Sequence, residues 1–370
     1  MYDEYGDLIT KIIDAGTYYI RSGVSGDDDP RVCDCTMICY PNDTKKQNSY
    51  YVGYCEKTSK VKKPIERGVI KNWEDMEIIW DDIFKQIETY FHISSGGSVL
   101  LVDNLLNPKI NRGKMSEIMF EKYNFQYFYS GNQCHFDLFA EGCVTGLVIN
   151  IGEGTTQIVP LYKGSSITSS SELRISGVDI KQMLEELLSE RGYTFNDPTK
   201  NTIDHIKRSS SYVAEDFDTE LIKAKTTNEC DKTITVDSHE ITLSYERFVC
   251  YEQIFRNQSN GFNQKGIVET LYDSIMSVDE EIRGKICHEI FVMGGSSIAE
   301  GLVERFEKEL KKKMKNKCIK FRVYSPPERY MSSWIGASIF ASLSRYNQFY
   351  VKKDEYDEYG VSFILNKCYN

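Results

Sequence analysis

The chain has 370 residues, of which 41% are hydrophobic and 12% aromatic, and a net charge of −10. Its length exceeds one ordinary core, so two or more lobes are expected, and the acidic balance argues against nucleic acid as the main partner, because phosphate binding needs a positive field. No run of roughly 18 apolar residues is present, so no membrane span is expected, and Met1-Tyr2-Asp3-Glu4-Tyr5 lacks the apolar core of a secretion signal.

In chain order, Lys11 to Gly23 comes first. An apolar strand ends at Asp14, turns through Gly16 and leaves as a second strand, which reads as a β-hairpin. Residues 24–63 carry turn formers, and the polar run Asn42 to Ser49 reads as an exposed loop on a small appended lobe. From Trp73 to Phe91, apolar residues recur every three or four positions, which predicts an amphipathic helix. Ser98 to Val102 reads as a buried strand, Lys114 to Lys122 as a helix, and Asn132 to Glu141 as a shorter helix.

Leu147 to Pro160 then repeats the first hairpin's pattern: an apolar run reaches Asn150, turns on Gly152 and Gly154, and leaves through β-branched residues. Oriented N–H groups at such a tip form a concavity that favours anions, phosphate above all. Two hairpins of this kind predict two related half-domains that grip a phosphate chain between them. Helices follow over Asp179 to Arg191 and Ile203 to Phe217, residues 225–240 read as loop, and Ile241 to Leu243 reads as a strand. A polar loop at 256–266 and a helix from Ile267 to Ser277 come next. Ile290 to Met293 is a buried strand running into Gly294-Gly295, with a helix from Gly301 to Lys313 beyond it. That strand-to-helix turn also suits an anion or a nucleoside.

Strand Phe321 to Tyr324 and a helix around Trp334 to Ala341 close the last core, giving an α/β class. The basic run Lys311 to Lys317 reads as the solvated end of a helix. The 11 cysteines are scattered apart from Cys33, Cys35 and Cys39, and no Cys/His set has zinc spacing, so free thiols in a reducing compartment are expected.

Pro64-Ile65-Glu66-Arg67-Gly68-Val69-Ile70-Lys71-Asn72-Trp73, Leu106-Asn107-Pro108-Lys109, Ser325-Pro326-Pro327-Glu328-Arg329 and Trp334-Ile335-Gly336-Ala337-Ser338-Ile339-Phe340-Ala341 carry a resemblance that covers essentially the whole chain. In this order they resemble actin. The resemblance implies the two-lobed α/β ATPase fold shared by actin, hexokinase and heat-shock chaperones, with a nucleotide cleft between the lobes. It implies a first-lobe core of residues 1–35, 64–140 and 332–370 and an appended subdomain at 36–63. The second lobe has its core at 141–175 and 263–331, with an outer subdomain at 176–262. The lobes swing about crossings near Gln133–Ala140 and Tyr330–Ser333.

The resemblance also implies ATP or ADP and Mg2+ as cofactors, and assigns positions to them. Asp14 and Asn150 stand at the metal, through water. Gly16, Thr17, Tyr18, Arg21, Gly152, Glu153, Gly154 and Thr155 stand around the phosphates. Gly177, Asp179, Lys207, Arg208, Gly294, Gly295, Ser296 and Tyr330 line the remainder of the nucleotide site. Gln133 aligns with the residue that positions the attacking water, and Gln157 replaces the histidine that helps orient it.

Several positions depart from the family pattern. Asn150 replaces an Asp, Tyr18 a Gly of the hairpin tip, Arg208 the ribose-binding Glu, and Tyr330 the Lys beside adenine. Asn still accepts a hydrogen bond but without charge assistance, and Gln157 cannot shuttle protons near neutral pH. These changes point to slow or absent hydrolysis. Ser165 replaces a Tyr that receives the neighbouring subunit's loop, and Ser259 to Asn263 keeps one large apolar side chain, so co-polymerisation with ordinary actin is disfavoured.

The expectation is therefore a cytoplasmic, cytoskeletal structural subunit of a filament or multiprotein complex, partnered by itself, by other actin-family subunits or by complex-specific proteins. The alternatives are an ATPase that polymerises like conventional actin, and an actin-related subunit of a nuclear chromatin complex.

Overall fold

The computed structural model describes residues 9–40, 50–54, 60–105, 107–167, 170–195, 197, 201–236, 239–256, 265–317 and 319–369. Met1–Tyr5, Leu106, the predicted loop at Asn42 to Ser49 and the segment Ser259 to Asn263 lie outside them.

Two mixed sheets with the same internal order organise the chain. In the first, β1 (Thr10–Ala15) and β2 (Tyr19–Val24) form an antiparallel hairpin with Asp14 opposite Arg21. β3 (Val32–Cys35) pairs β2 on one side, while β4 (Gly97–Asp103) and β5 (Phe125–Asn132) run parallel on the other. In the second, β6 (Gly146–Ile151) and β7 (Thr156–Tyr162) form the hairpin, with Asn150 opposite Gln157. β8 (Ser171–Leu173) pairs β7, and β9 (Glu289–Met293) and β10 (Arg322–Tyr324) run parallel beyond β6. Each lobe is thus built on one hairpin, one flanking strand and two parallel strands.

Helices cover the sheets as their apolar periodicity requires. α1 (Trp73–Phe91) buries Met76, Ile79, Trp80, Ile83, Phe84 and Ile87 in the first core, and the Asn72 side chain caps it by accepting from the Asp75 amide. α2 (Lys109–Glu121) begins a turn earlier than expected, directly after Pro108, because a proline obstructs a helix interior but not its start. α3 (Gln133–Ala140) leads into the second lobe. α4 (Gly177–Glu190) opens with a Ser176/Asp179 capping box and buries Ile180, Leu184 and Leu188 in the second core.

α5 (Asn201–Ser210) is shorter than the predicted 203–217 helix. The chain leaves it at Ser211, bridges Tyr212 to Glu300, and restarts a helix at Phe217–Thr226 behind the Asp216 cap. Within 225–240, read as loop, Lys232–Val236 is a strand paired with His239–Leu243. Its β-branched residues alternate faces, a period too short to stand out in that polar setting.

α6 (Leu302–Met314) follows the Gly294-Gly295 turn. α7 (Ser332–Ser342) then packs on α3 where the chain passes between lobes. A Cβ on Gly336 would overlap the carbonyl oxygen of Phe136, so glycine is what lets these two helices meet backbone to backbone. Phe136, Trp334, Ala337 and Phe340 form the small core beneath them. Eight described cysteines are free thiols, but Cys39 is disulfide-bonded, so the expectation of free thiols throughout fails. Sequence spacing alone does not disclose such a pairing.

Candidate functional site

The two hairpin tips meet at the mouth of a cleft lined by residues of both lobes. Asp14, Gly16, Thr17, Gln133, Gly152, Glu153, Gly154 and Thr155 line it together, so eight of the predicted residues share one cavity. Thr17 Oγ1 accepts from the Gly68 amide at 2.9 Å. A Cβ on Gly154 would overlap that same oxygen, which explains glycine at this tip. Asn104 Nδ2 donates to Thr155 Oγ1 across the lobes at 3.1 Å.

Asp14 is buried, and burial raises its proton affinity against the opposing charge of Arg21, whose guanidinium lies 3.6 Å away. Asn150 and Gln157 sit one layer below the tip, both almost wholly buried. Gln157 Nε2 donates to Thr155 Oγ1 at 3.4 Å, and its Oε1 accepts from the Cys134 thiol at 3.9 Å. Asn150 Nδ2 donates at 2.7 Å to Asp137 Oδ2 on α3. Asp137 is fully buried and also accepts from Ser333 Oγ at 2.7 Å. Burial pushes its carboxyl up to about 7, against the lowering effect of those two hydrogen bonds.

A second group of predicted residues lies on the other side of the tips. Glu153 is ion-paired to Lys181 and, at 3.3 Å, to Lys207. Burial alone would raise its carboxyl, but the two ammonium groups outweigh that and hold it below the usual range. Asp204 binds Arg208 at 2.6 Å and lies 3.7 Å from both lysines. Glu153 and Ser296 both pack against Gly177.

Tyr18, on the first-lobe hairpin, reaches into this cluster. It is only 6% exposed, its hydroxyl donates to Asn201 Oδ1 at 2.8 Å, and Lys181 lies 4.3 Å from its ring centroid. Arg208 faces the rings of both Tyr18 and Tyr19. Burial first, then the Asp204 charge, raises the Tyr18 phenol, which stays neutral. Asp179 takes a different role: it caps α4 and accepts two hydrogen bonds from Arg67, at 2.6 and 3.1 Å. Gly294, Gly295 and Tyr330 form a third group at the turn after β9, with Tyr330 43% exposed.

Asp137, Lys181, Asp204, Asn201 and Arg67 were not singled out from the sequence. Asp204 with Lys207 and Arg208 has the i,i+3 and i,i+4 spacing of helix ion pairs, and Asp137 is an acidic residue inside a short, largely apolar helix. Both signals were there to be read.

The donor set suits a hard divalent cation that keeps much of its water: Asp14 supplies a carboxylate and Asn150 an amide oxygen. Among the described residues no cluster of three or more His, Cys, Asp or Glu could hold a metal ion. No helix among the described residues is long and apolar enough to cross a membrane. The actin family model matches residues 7–369, essentially the entire chain, and this protein belongs to the actin family.

Proposed function

We propose that the chain is a structural subunit of a cytoskeletal filament or multiprotein complex that binds an adenine nucleotide with Mg2+ in the cleft and hydrolyses it slowly or not at all. The observation that carries this reading is the pairing of Asn150 with Gln157 across the second hairpin, buried one layer below its tip. Two amides face each other where phosphoryl transfer to water calls for a charge-assisted acceptor and a group that orients or relays a proton. A cation bound there would offset charge developing on the phosphates. The chain's own residues would then act as follows. Thr17 and the backbone N–H groups of Glu153 to Thr155 bind the phosphates, Asp14 and Asn150 orient cation-bound water, and Gln133 holds a water at the first lobe crossing. Gln133 and Gln157, the side chains assigned to that water, are amides and cannot take its proton near neutral pH. The adenosine end would be received by Lys207, Arg208, Gly294, Gly295, Ser296 and Tyr330.

Purified full chain with Mg2+ and ATP tests both halves. Single-turnover phosphate release should be slower than that of filamentous actin, and sedimentation should show whether the protein assembles alone. Release at the rate of filamentous actin would refute the reading and favour a working ATPase.

A further inference from the structure

The contact between Asp137 and Asn150 gives Asn150 a fixed orientation. Asp137 comes from α3, at the first passage between lobes, and Ser333 from the start of α7, at the second. The carboxylate therefore ties both crossings to the second hairpin through hydrogen bonds of 2.7 Å each. With Nδ2 of Asn150 committed to Asp137, only Oδ1 remains to face the turn. A Cβ on Gly294 would lie 2.7 Å from that oxygen and one on Gly152 would lie 3.8 Å from it, which puts Oδ1 between the hairpin tip and the turn after β9. An unanchored amide can present either its oxygen or its NH2, and only the oxygen accepts from cation-bound water.

We propose that Asp137 is a positioning residue, which takes the amide hydrogen of Asn150 and thereby presents Asn150 Oδ1 as the neutral acceptor for the hydrated divalent cation. This rests on the nucleotide and Mg2+ reading above. The carboxylate on α3 and the amide on β6 act as one unit, in which the charge stands behind the strand rather than on it. Groups that orient a metal's direct ligands are worth about 10- to 100-fold in affinity, and Asp137, acting through Asn150 and a water, stands at the low end of that range.

The test uses the full-length protein and Mn2+ with ADP, followed by the electron paramagnetic resonance signal of free Mn2+. Asp137→Leu removes the acceptor and should weaken Mn2+ binding by about tenfold or more. Asp137→Asn keeps an oxygen facing Asn150 and should lose clearly less affinity than Asp137→Leu, only the share carried by the charge. A charge-exchange series at pH 8 needs no ligand. Asn150→Asp alone sets two buried carboxylates against each other and should lower the melting temperature by several degrees, while adding Asp137→Asn should recover it. Asp137→Leu that folds and binds Mn2+ as tightly as wild type would overturn the positioning role. An Asn150→Asp protein as stable as wild type would overturn the contact itself. Wild type with no Mn2+ binding at all would instead overturn the nucleotide reading, and the cation role with it, while the charge-exchange series would still report on the contact.

Discussion

Replacing Tyr18 by Gly should loosen the lobes and at the same time strengthen nucleotide binding. The side chain leaves the first-lobe hairpin, is 6% exposed, and hydrogen-bonds Asn201 at 2.8 Å on the far side of the cleft. It also lies under Lys181 at 4.3 Å. Removing a buried aromatic ring costs about 3–5 kcal/mol, a figure that already contains the lost packing. Of this, the hydrogen bond accounts for roughly 1 kcal/mol and the cation–π contact for roughly 0.5–2 kcal/mol. Those same contacts engage Lys181 and Arg208, beside residues assigned to the nucleotide, and a ligand that needs them must first break them.

If about 2 kcal/mol of contact is broken on binding, wild type binds about thirtyfold more weakly than Tyr18→Gly. Hydrogen exchange of the amides around Tyr18 and Asn201 reads the loosening, and titration with a fluorescent ADP analogue reads the affinity. A local readout reports directly on the contacts that Tyr18 makes. Tyr18→Phe should lose only the hydroxyl's share. Unchanged exchange together with unchanged affinity in Tyr18→Gly would refute the reasoning.

Two further predictions follow from single positions. Burial holds the His135 imidazole well below its ordinary range, at about 4, beside Ser166 Oγ at 3.2 Å. A base depressed in the folded state leaves stability intact above its unfolded pKa, near 6.5, and lets it fall as pH drops toward 4. The loss is at most about 3 kcal/mol, and His135→Gln should flatten the melting-temperature profile over that window. Gly336→Ala would drive a methyl into the Phe136 carbonyl and force α3 and α7 apart. We expect a loss of at least about 1–3 kcal/mol in urea denaturation, and an alanine variant as stable as wild type would contradict the close helix crossing.

Much of the fold was legible because it follows from periodicity and turn chemistry. α1 was readable from its apolar spacing, and both hairpins from a strand, a glycine turn and a second strand. What escaped was set by tertiary partners. The helix predicted through Phe217 stops at Ser210, and the bridge from Tyr212 to Glu300 joins segments far apart in sequence. No local pattern announces such a contact. The site divides the same way. Residues on the tips were found because the tips carry a motif, whereas Lys181, Asn201 and Arg67 matter only because the lobes face each other.

The position-by-position comparison with actin treats Asn150 and Arg208 as lost carboxylates, and the three-dimensional arrangement changes what that loss means. Beside Asn150 stands Asp137, 2.7 Å away on α3, and beside Arg208 stands Asp204, 2.6 Å away on the previous turn of α5. In both places a carboxylate is present but set back, hydrogen-bonded or ion-paired to the residue that took its position. A set-back carboxylate still contributes field and still orients its partner, but it cannot itself touch ligand or cation-bound water. Binding depends on field and orientation, whereas fast hydrolysis also depends on groups in direct contact with the reacting water. On the function proposed above, relocation of charge away from the cleft surface would weaken turnover more than the capacity to hold a ligand and join two lobes. Tyr18 adds a cross-cleft contact of the chain's own, so that joining the lobes depends less on the ligand.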